Sequence, residues 1–313
     1  MHLSTLPSPI NIVCTIDNHY AQHCAVMLAS LFHHNPKRQF RVFLITDGLE
    51  MSIWERLEQF LQDQKQEYEL IQIDRTALGD APVTHHISLA TYFRLFIPEV
   101  LPQTLQKVLF LDVDMIVRKS IDELWDKDIH AFSHAATIAA GMDEYPEQIG
   151  LPRNSLYFNA GLLLINLEAW RNLRVFDRGC EIIRQSSDRI TWWDQDVLNI
   201  LLHDHWMPLD LLWNAQPFLY SEEFHQRPQA LYKLFQSATA IAEPAIVHFV
   251  GGGSAKPWHF YCTHPFKDDY RKFLKKTPWQ NTPLICQPDL VTQMRFRLGL
   301  GSKARKLLRG SSI

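Results

Sequence analysis

Four times before residue 113 the chain carries a short apolar run that stops at an aspartate. Ile10–Ile16 runs into Asp17, Phe40–Thr46 into Asp47, Tyr68–Ile73 into Asp74, and Lys107–Leu111 into Asp112. Runs this short and this apolar read as buried strands. Between the first two, Ala21, Cys24, Ala25, Leu28, Leu31 and Phe32 recur at helical spacing until Asn35-Pro36 stops them, and Glu50–Gln64 reads as a second helix. Strands alternating with helices predict an α/β domain with a mainly parallel central sheet covered on both faces. In such sheets ligands bind outside the carboxyl ends of the strands, where these aspartates lie. Asp47 and Asp74 are expected simply to cap the helix that follows each of them. The first strand leads into no GxGxxG, and no GxxxxGK[ST] occurs, so neither dinucleotide nor P-loop binding is supported.

Further on, Ala160–Ile165 predicts another buried strand, and helices are expected over about Glu168–Ser186 and Asp194–His203. Residues 205–244 show little periodicity. Ala245–Val250 reads as a last strand and His264–Lys276 as a last helix, with Pro278, Pro283 and Pro288 marking a linker. The expected division is a catalytic body over 1–276 and a linker with a basic extension over 277–313.

The strongest chemical signal is Leu109-Phe110-Leu111-Asp112-Val113-Asp114-Met115-Ile116-Val117. Two carboxylates at i and i+2 of an extended chain point to one side. Unpaired charge is costly among so many apolar residues, and a divalent cation relieves that cost. The plainer reading is two surface acids at a strand end. His248 lies in an apolar strand, where a lone histidine is usually a hydrogen-bonded core residue. It is followed, however, by Gly251-Gly252-Gly253 and Lys256, a backbone that can approach phosphate and a charge to meet it. Imidazole beside two carboxylates favours Mn²⁺, with Mg²⁺ the second choice.

Six segments in this order carry a resemblance. They are Ile12–Asp17, Thr91–Leu95, Leu109–Val117, Tyr157–Gly161, Asp194–Asp196 and His248–His259. Over residues 10–276 the chain resembles glycosyltransferase family 8, in particular bacterial galactosyl- and glucosyltransferases of the lipopolysaccharide or lipo-oligosaccharide core. The resemblance implies a single Rossmann-like nucleotide-binding domain of the GT-A type, a UDP-sugar donor and Mn²⁺. By position, Asp112, Asp114 and His248 would be metal ligands. Thr15, Asp17 and Tyr20 would form the uridine pocket, and Val113 would also contact the donor. Arg94 and Lys256 would hold the diphosphate or the donor sugar, Gly253 would approach the phosphate, and Asn159 would sit beside the donor sugar.

Retention of the α configuration is implied as well. Asp194 and Gln195 are the candidates opposite the leaving group. An ionised Asp194 is the better nucleophile for a double displacement. The preferred reading has Asp194 holding sugar hydroxyls and Gln195 under the anomeric carbon as the acceptor attacks from the leaving-group face. Asp194 could equally cap its helix. His86 and Trp192 are the expected acceptor contacts. A metal-dependent nucleotide-sugar phosphohydrolase and a noncatalytic glycan-binding protein are the competing readings.

Charge divides the chain. The six basic residues after position 290 (Arg295, Arg297, Lys303, Arg305, Lys306 and Arg309) face no acid, against 25 basic and 34 acidic residues before them. An acidic body argues against nucleic acid as a partner. The tail mixes cationic and apolar residues, a composition attracted to anionic lipid by about 1 kcal/mol per basic residue. No apolar run is long enough to span a bilayer, no secretory signal opens the sequence, and five scattered cysteines suit a reducing compartment. The expectation is a cytoplasmic enzyme, peripheral on the inner membrane, that works on a lipid-linked oligosaccharide.

Overall fold

Alternating apolar side chains along each central strand must be buried on two sides, and the computed structural model shows both sides covered. It describes residues 8–78, 89–186, 189–228 and 230–288. The strands are β1 (Ile10–Thr15), β2 (Phe40–Thr46), β3 (Glu67–Gln72), β4 (Lys107–Leu111), β5 (Met115–Val117), β6 (His134–Thr137), β7 (Leu162–Asn166), β8 (Trp206–Leu209) and β9 (Ile246–His248). Seven form one sheet in the order β3-β2-β1-β4-β7-β6-β8. Only β7 runs against the others, pairing antiparallel with both β4 and β6.

Ile10, Ile12, Cys14, Leu109, Leu111, Leu162 and Leu164 point to one face, under the helices Ala21–His34 and Lys267–Leu274. Val13, Val108, Phe110, Leu163 and Ile165 point to the other, where Tyr92, Trp170 and Val197 meet them. The period-two alternation thus sorts the central strands between two cores.

Several expectations change. The helix predicted over Glu168–Ser186 is two, Leu167–Asn172 and Val175–Gln185. Arg174, in the left-handed region at φ 52°, turns the chain between them. The aperiodic segment 205–244 contributes β8, and β6 was also unforeseen. Asp47 does not cap the helix Met51–Asp63; it pairs with Arg75 at 3.2 Å, while Asn18 Oδ1 accepts the Glu50 N–H. Asp74 does cap, accepting the Thr76 N–H at 2.9 Å.

The last apolar strand joins no part of the main sheet. β9 pairs antiparallel with β5, Met115 opposite His248, in a separate two-stranded ribbon. Beyond the final helix the chain stays against the body: Trp279 is buried and stacks with Arg56, and Ile285 bridges to His259. Among the described residues no helix is long and apolar enough to cross a membrane.

Candidate active site

Asp112 and Asp114 meet through a turn and not through the alternation of an extended strand. After β4 the chain leaves the main sheet at Asp112, turns at Val113 and Asp114, and enters the ribbon at Met115. The Asp112 N–H is held by the Gly161 carbonyl at 2.7 Å, and the Phe249 N–H donates to the Asp114 carbonyl at 3.0 Å. The ribbon's register brings His248 alongside. Its Nε2 lies 3.6 Å from Asp112 Oδ2 and 3.2 Å from Asp114 Oδ1. One ligand atom from each of the three residues falls within 4.8 Å of the others. Two hard carboxylates and an imidazole so close together suit a divalent cation.

Lys256 joins this group. Its ammonium contacts Asp114 and donates to the Phe249 carbonyl at 2.8 Å. Burial works to raise the Asp114 carboxyl, but Lys256 and His248 outweigh it and hold the group ionised, well below the usual carboxylate range. Gly251 and Gly253 have positive φ, and no atom lies within 4 Å of where a Gly253 side chain would start. The backbone there is open to an approaching group. Tyr20 packs edge-on to Trp258, and the nearby Asp114 adds to burial in raising its phenol. Asp17 accepts the N–H groups of His19 and Tyr20, both at 2.9 Å, which orders the turn into the first helix. Thr15 and Asp17 therefore lie at the end of β1. The same edge holds a cleft of about 830 Å³ lined by Asn18, Asp47, Gly48, Gln72 and Asp74. None of the carboxylate–imidazole group lines it.

Arg94 is 4% exposed, and all three of its nitrogens are engaged by protein. Nη1 donates to the Ala160 carbonyl, Nη2 to Asp112 at 2.9 Å, and Nε to the Thr91 carbonyl at 3.2 Å. Nε is also 2.7 Å from Asp194 Oδ2, an oxygen that receives no hydrogen bond among the described residues, so the pair is ionic only. Asp194 does not cap its helix, Trp193–Leu202. The acid that orders this end is Asp196, which accepts the N–H groups of Thr191 and Trp192 at 2.7 Å. Trp193, at φ 48°, is a bulky residue in the left-handed region beside Asp194, a strain found where position matters. Trp192 is 40% exposed and available for stacking. His86 lies outside the described residues, as does the basic tail.

Burial pushes the Asp194 carboxyl up to about 7, with Arg94 pulling the other way. A carboxyl raised in the folded state contributes stability that is full below its unfolded value and lost as pH rises through about 7. Wild-type stability should therefore fall by about 2–3 kcal/mol between pH 5 and pH 8 through this group alone. Asp194→Asn should abolish that component in urea titrations at the two pH values. An unchanged pH slope would refute the assignment.

Asn159 and Gln195 meet on the same side. Gln195 Oε1 accepts from Asn159 Nδ2 at 3.0 Å and from the Ala160 N–H at 3.1 Å. Asn199 locks the helix to the segment before β7, bonding both the N–H and the carbonyl of Phe158 at 2.9 Å. Sequence reasoning missed Asn214, Tyr157 and Asp196 as members of this site. Asn214 stands in the aperiodic stretch, and the available signal was the pair of amides Asn214 and Gln216 set among apolar neighbours.

The chain is similar along most of its length to several known proteins. General stress protein A of Bacillus subtilis (strain 168) is 30% identical over 284 residues, 89% of this chain and 98% of that protein. The lipopolysaccharide 1,3-galactosyltransferase of Salmonella typhimurium is 28% identical over 293 residues, 91% of this chain and 83% of its own. The solved structure of the galactosyltransferase LgtC in complex with donor and acceptor sugar analogs aligns with a TM-score of 0.78 at 26% identity, covering 91% of this chain and 100% of that one. The family model for glycosyl transferase family 8 matches residues 11–262. That span takes in every described residue of the cluster, from Thr15 to Lys256, and the chain belongs to glycosyl transferase family 8.

Proposed function

We propose that this glycosyltransferase moves galactose or glucose from a UDP-sugar to a lipopolysaccharide or lipo-oligosaccharide core acceptor, forming an α-glycosidic bond with retention. The observation that carries the reading is the approach of Asp112, Asp114 and His248 within 4.8 Å, with Lys256 on the same carboxylate. Support for the acceptor class comes from relatives named as lipopolysaccharide galactosyl- and glucosyltransferases. Bound there, a divalent cation, Mn²⁺ in this reading, supplies positive charge for a diphosphate leaving group.

The protein's own groups do the rest. Lys256 and the Gly253 N–H meet the diphosphate, and Thr15, Asp17, Tyr20 and Val113 surround the uridine. Asn159 and Asp194 orient the donor sugar. Arg94, buried and with each of its nitrogens on a protein partner, acts by holding Asp112 and Asp194 in place. Both acceptor sites of Gln195 Oε1 are already taken, which supports same-face attack over attack by the amide. Trp192 and His86 meet the acceptor, and the basic tail holds the enzyme at an anionic membrane face.

The test is transfer by the full-length protein from UDP-galactose and UDP-glucose to a truncated core oligosaccharide, with Mn²⁺ or with chelator. An α-linked product that needs metal supports the reading. Nucleotide release indifferent to the acceptor would replace it with a phosphohydrolase, and binding without turnover would replace it with a noncatalytic protein. A sugar trapped covalently on Asp194 would overturn the same-face step.

A further inference from the structure

Two backbone amides fix the direction of a hydrogen-bond chain that starts at His248. The Gly161 N–H donates to Asn159 Oδ1 at 3.0 Å, and the Ala160 N–H donates to Gln195 Oε1 at 3.1 Å. Backbone N–H groups can only donate, so both side-chain atoms are oxygens. The Asn214 atom 2.8 Å from Asn159 Oδ1 must then be its NH₂ nitrogen. Its other end, Oδ1, faces His248 Nδ1 at 3.0 Å. A carbonyl oxygen can only accept, so Nδ1 carries a proton, which leaves Nε2, between Asp112 and Asp114, as the nitrogen that can offer a lone pair to a cation bound there. In the other direction Asn159 Nδ2 donates to Gln195 at 3.0 Å, Gln195 Nε2 to Tyr157 at 3.1 Å, and the Tyr157 hydroxyl to Asp196 at 2.5 Å. Every bond points the same way, from the imidazole to a carboxylate that can only accept.

We propose that Asn214 is a positioning residue that sets the tautomer and ring orientation of His248 for a divalent cation and ties that ligand to the Gln195 amide. The metal position and the floor under the donor sugar are thereby one unit. Asn214 is fully buried, and its neighbour Ala215 is bonded twice to one edge of β9, accepting the His248 N–H at 3.0 Å and donating to the Ile246 carbonyl at 2.9 Å. The side chain is thus fixed against the strand that carries the ligand. Partners on the far nitrogen of a ligating histidine govern affinity by about 10- to 100-fold.

The inference rests on the metal reading above, and its test separates the two. Mn²⁺ alone is titrated into full-length protein, and the free ion is followed by electron paramagnetic resonance. Wild type should bind; if it does not, the metal reading fails and this inference falls with it. Asn214→Ala and Asn214→Leu, the latter keeping the volume, should weaken binding about 10- to 100-fold while near-ultraviolet circular dichroism stays native. Asn214→Asp still accepts from Nδ1–H and should bind within about threefold of wild type. It cannot donate to Asn159, however, so its kcat should fall about tenfold or more with Mn²⁺ affinity kept. Wild-type affinity in folded Asn214→Ala or Asn214→Leu would overturn the proposal. So would an aspartate variant that loses as much affinity as alanine, because that pattern marks packing alone.

Discussion

Asp114→Asn is expected to lower glycosyl transfer by about 10³-fold or more and to remove Mn²⁺ binding at micromolar protein concentration. The substitution is nearly isosteric, so the loss is one of charge. Asp114 is the carboxylate shared by Lys256 and His248, and it is held ionised by them. A neutral amide leaves the Lys256 ammonium without its carboxylate in a buried place, and a buried charge stripped of its partner costs about 3–5 kcal/mol. Stability should therefore drop along with activity. Asp112→Asn distinguishes the two effects. Its side chain is 25% exposed and keeps Arg94 nearby, so it should fold close to normally while losing metal affinity. Transfer within tenfold of wild type in Asp114→Asn would remove this carboxylate from the chemistry.

Gly161→Ala should be almost as damaging, by a different route. A Cβ built on Gly161 overlaps His248 Cε1 and stands 2.6 Å from Asp112 Oδ2. Backbone conformation is not the reason, because Gly161 has no positive φ; the reason is space. Neither neighbour can yield freely. His248 is bonded to Asn214, and Asp112 to Arg94. One added methyl must therefore push apart two of the three candidate ligands. An overpacked site of this kind costs about 1–3 kcal/mol of stability. Loss of Mn²⁺ affinity should exceed what that destabilisation alone explains, so the measurement is metal titration at a temperature where the variant is fully folded. Native affinity in the folded variant would show that the cluster can relax around the methyl.

How much of the fold and the site was legible in the sequence depends on how each part is encoded. The strand–helix alternation of β1, β2 and β3 is local and periodic, so it could be read. The acids at strand ends mark one edge, and Asp112, Asp114, His248 and Lys256 were found because charge in an apolar setting is conspicuous. Their geometry was not readable in the same way. The two carboxylates approach through a turn between two sheets, and His248 reaches them by pairing with a strand more than 120 residues earlier. Nothing in the local pattern of Leu109–Val117 distinguishes that from one continuous strand. Arg94 announced itself by charge, yet its partners Asp112 and Asp194 are distant in sequence, so its supporting position became visible only in the fold. Asn214 carries no charge and no periodic context, and its importance lies wholly in what it touches.

The two-stranded ribbon of β5 and β9 also sets an order of assembly. The main sheet has its last strand by Leu209, but the ribbon is incomplete until the chain reaches His248. A nascent or truncated chain ending between those points holds every strand of the main sheet and both aspartates, yet lacks His248. On the metal reading proposed above, affinity for a divalent cation is therefore expected only once the chain includes His248, and its appearance during refolding would report the closing of the ribbon.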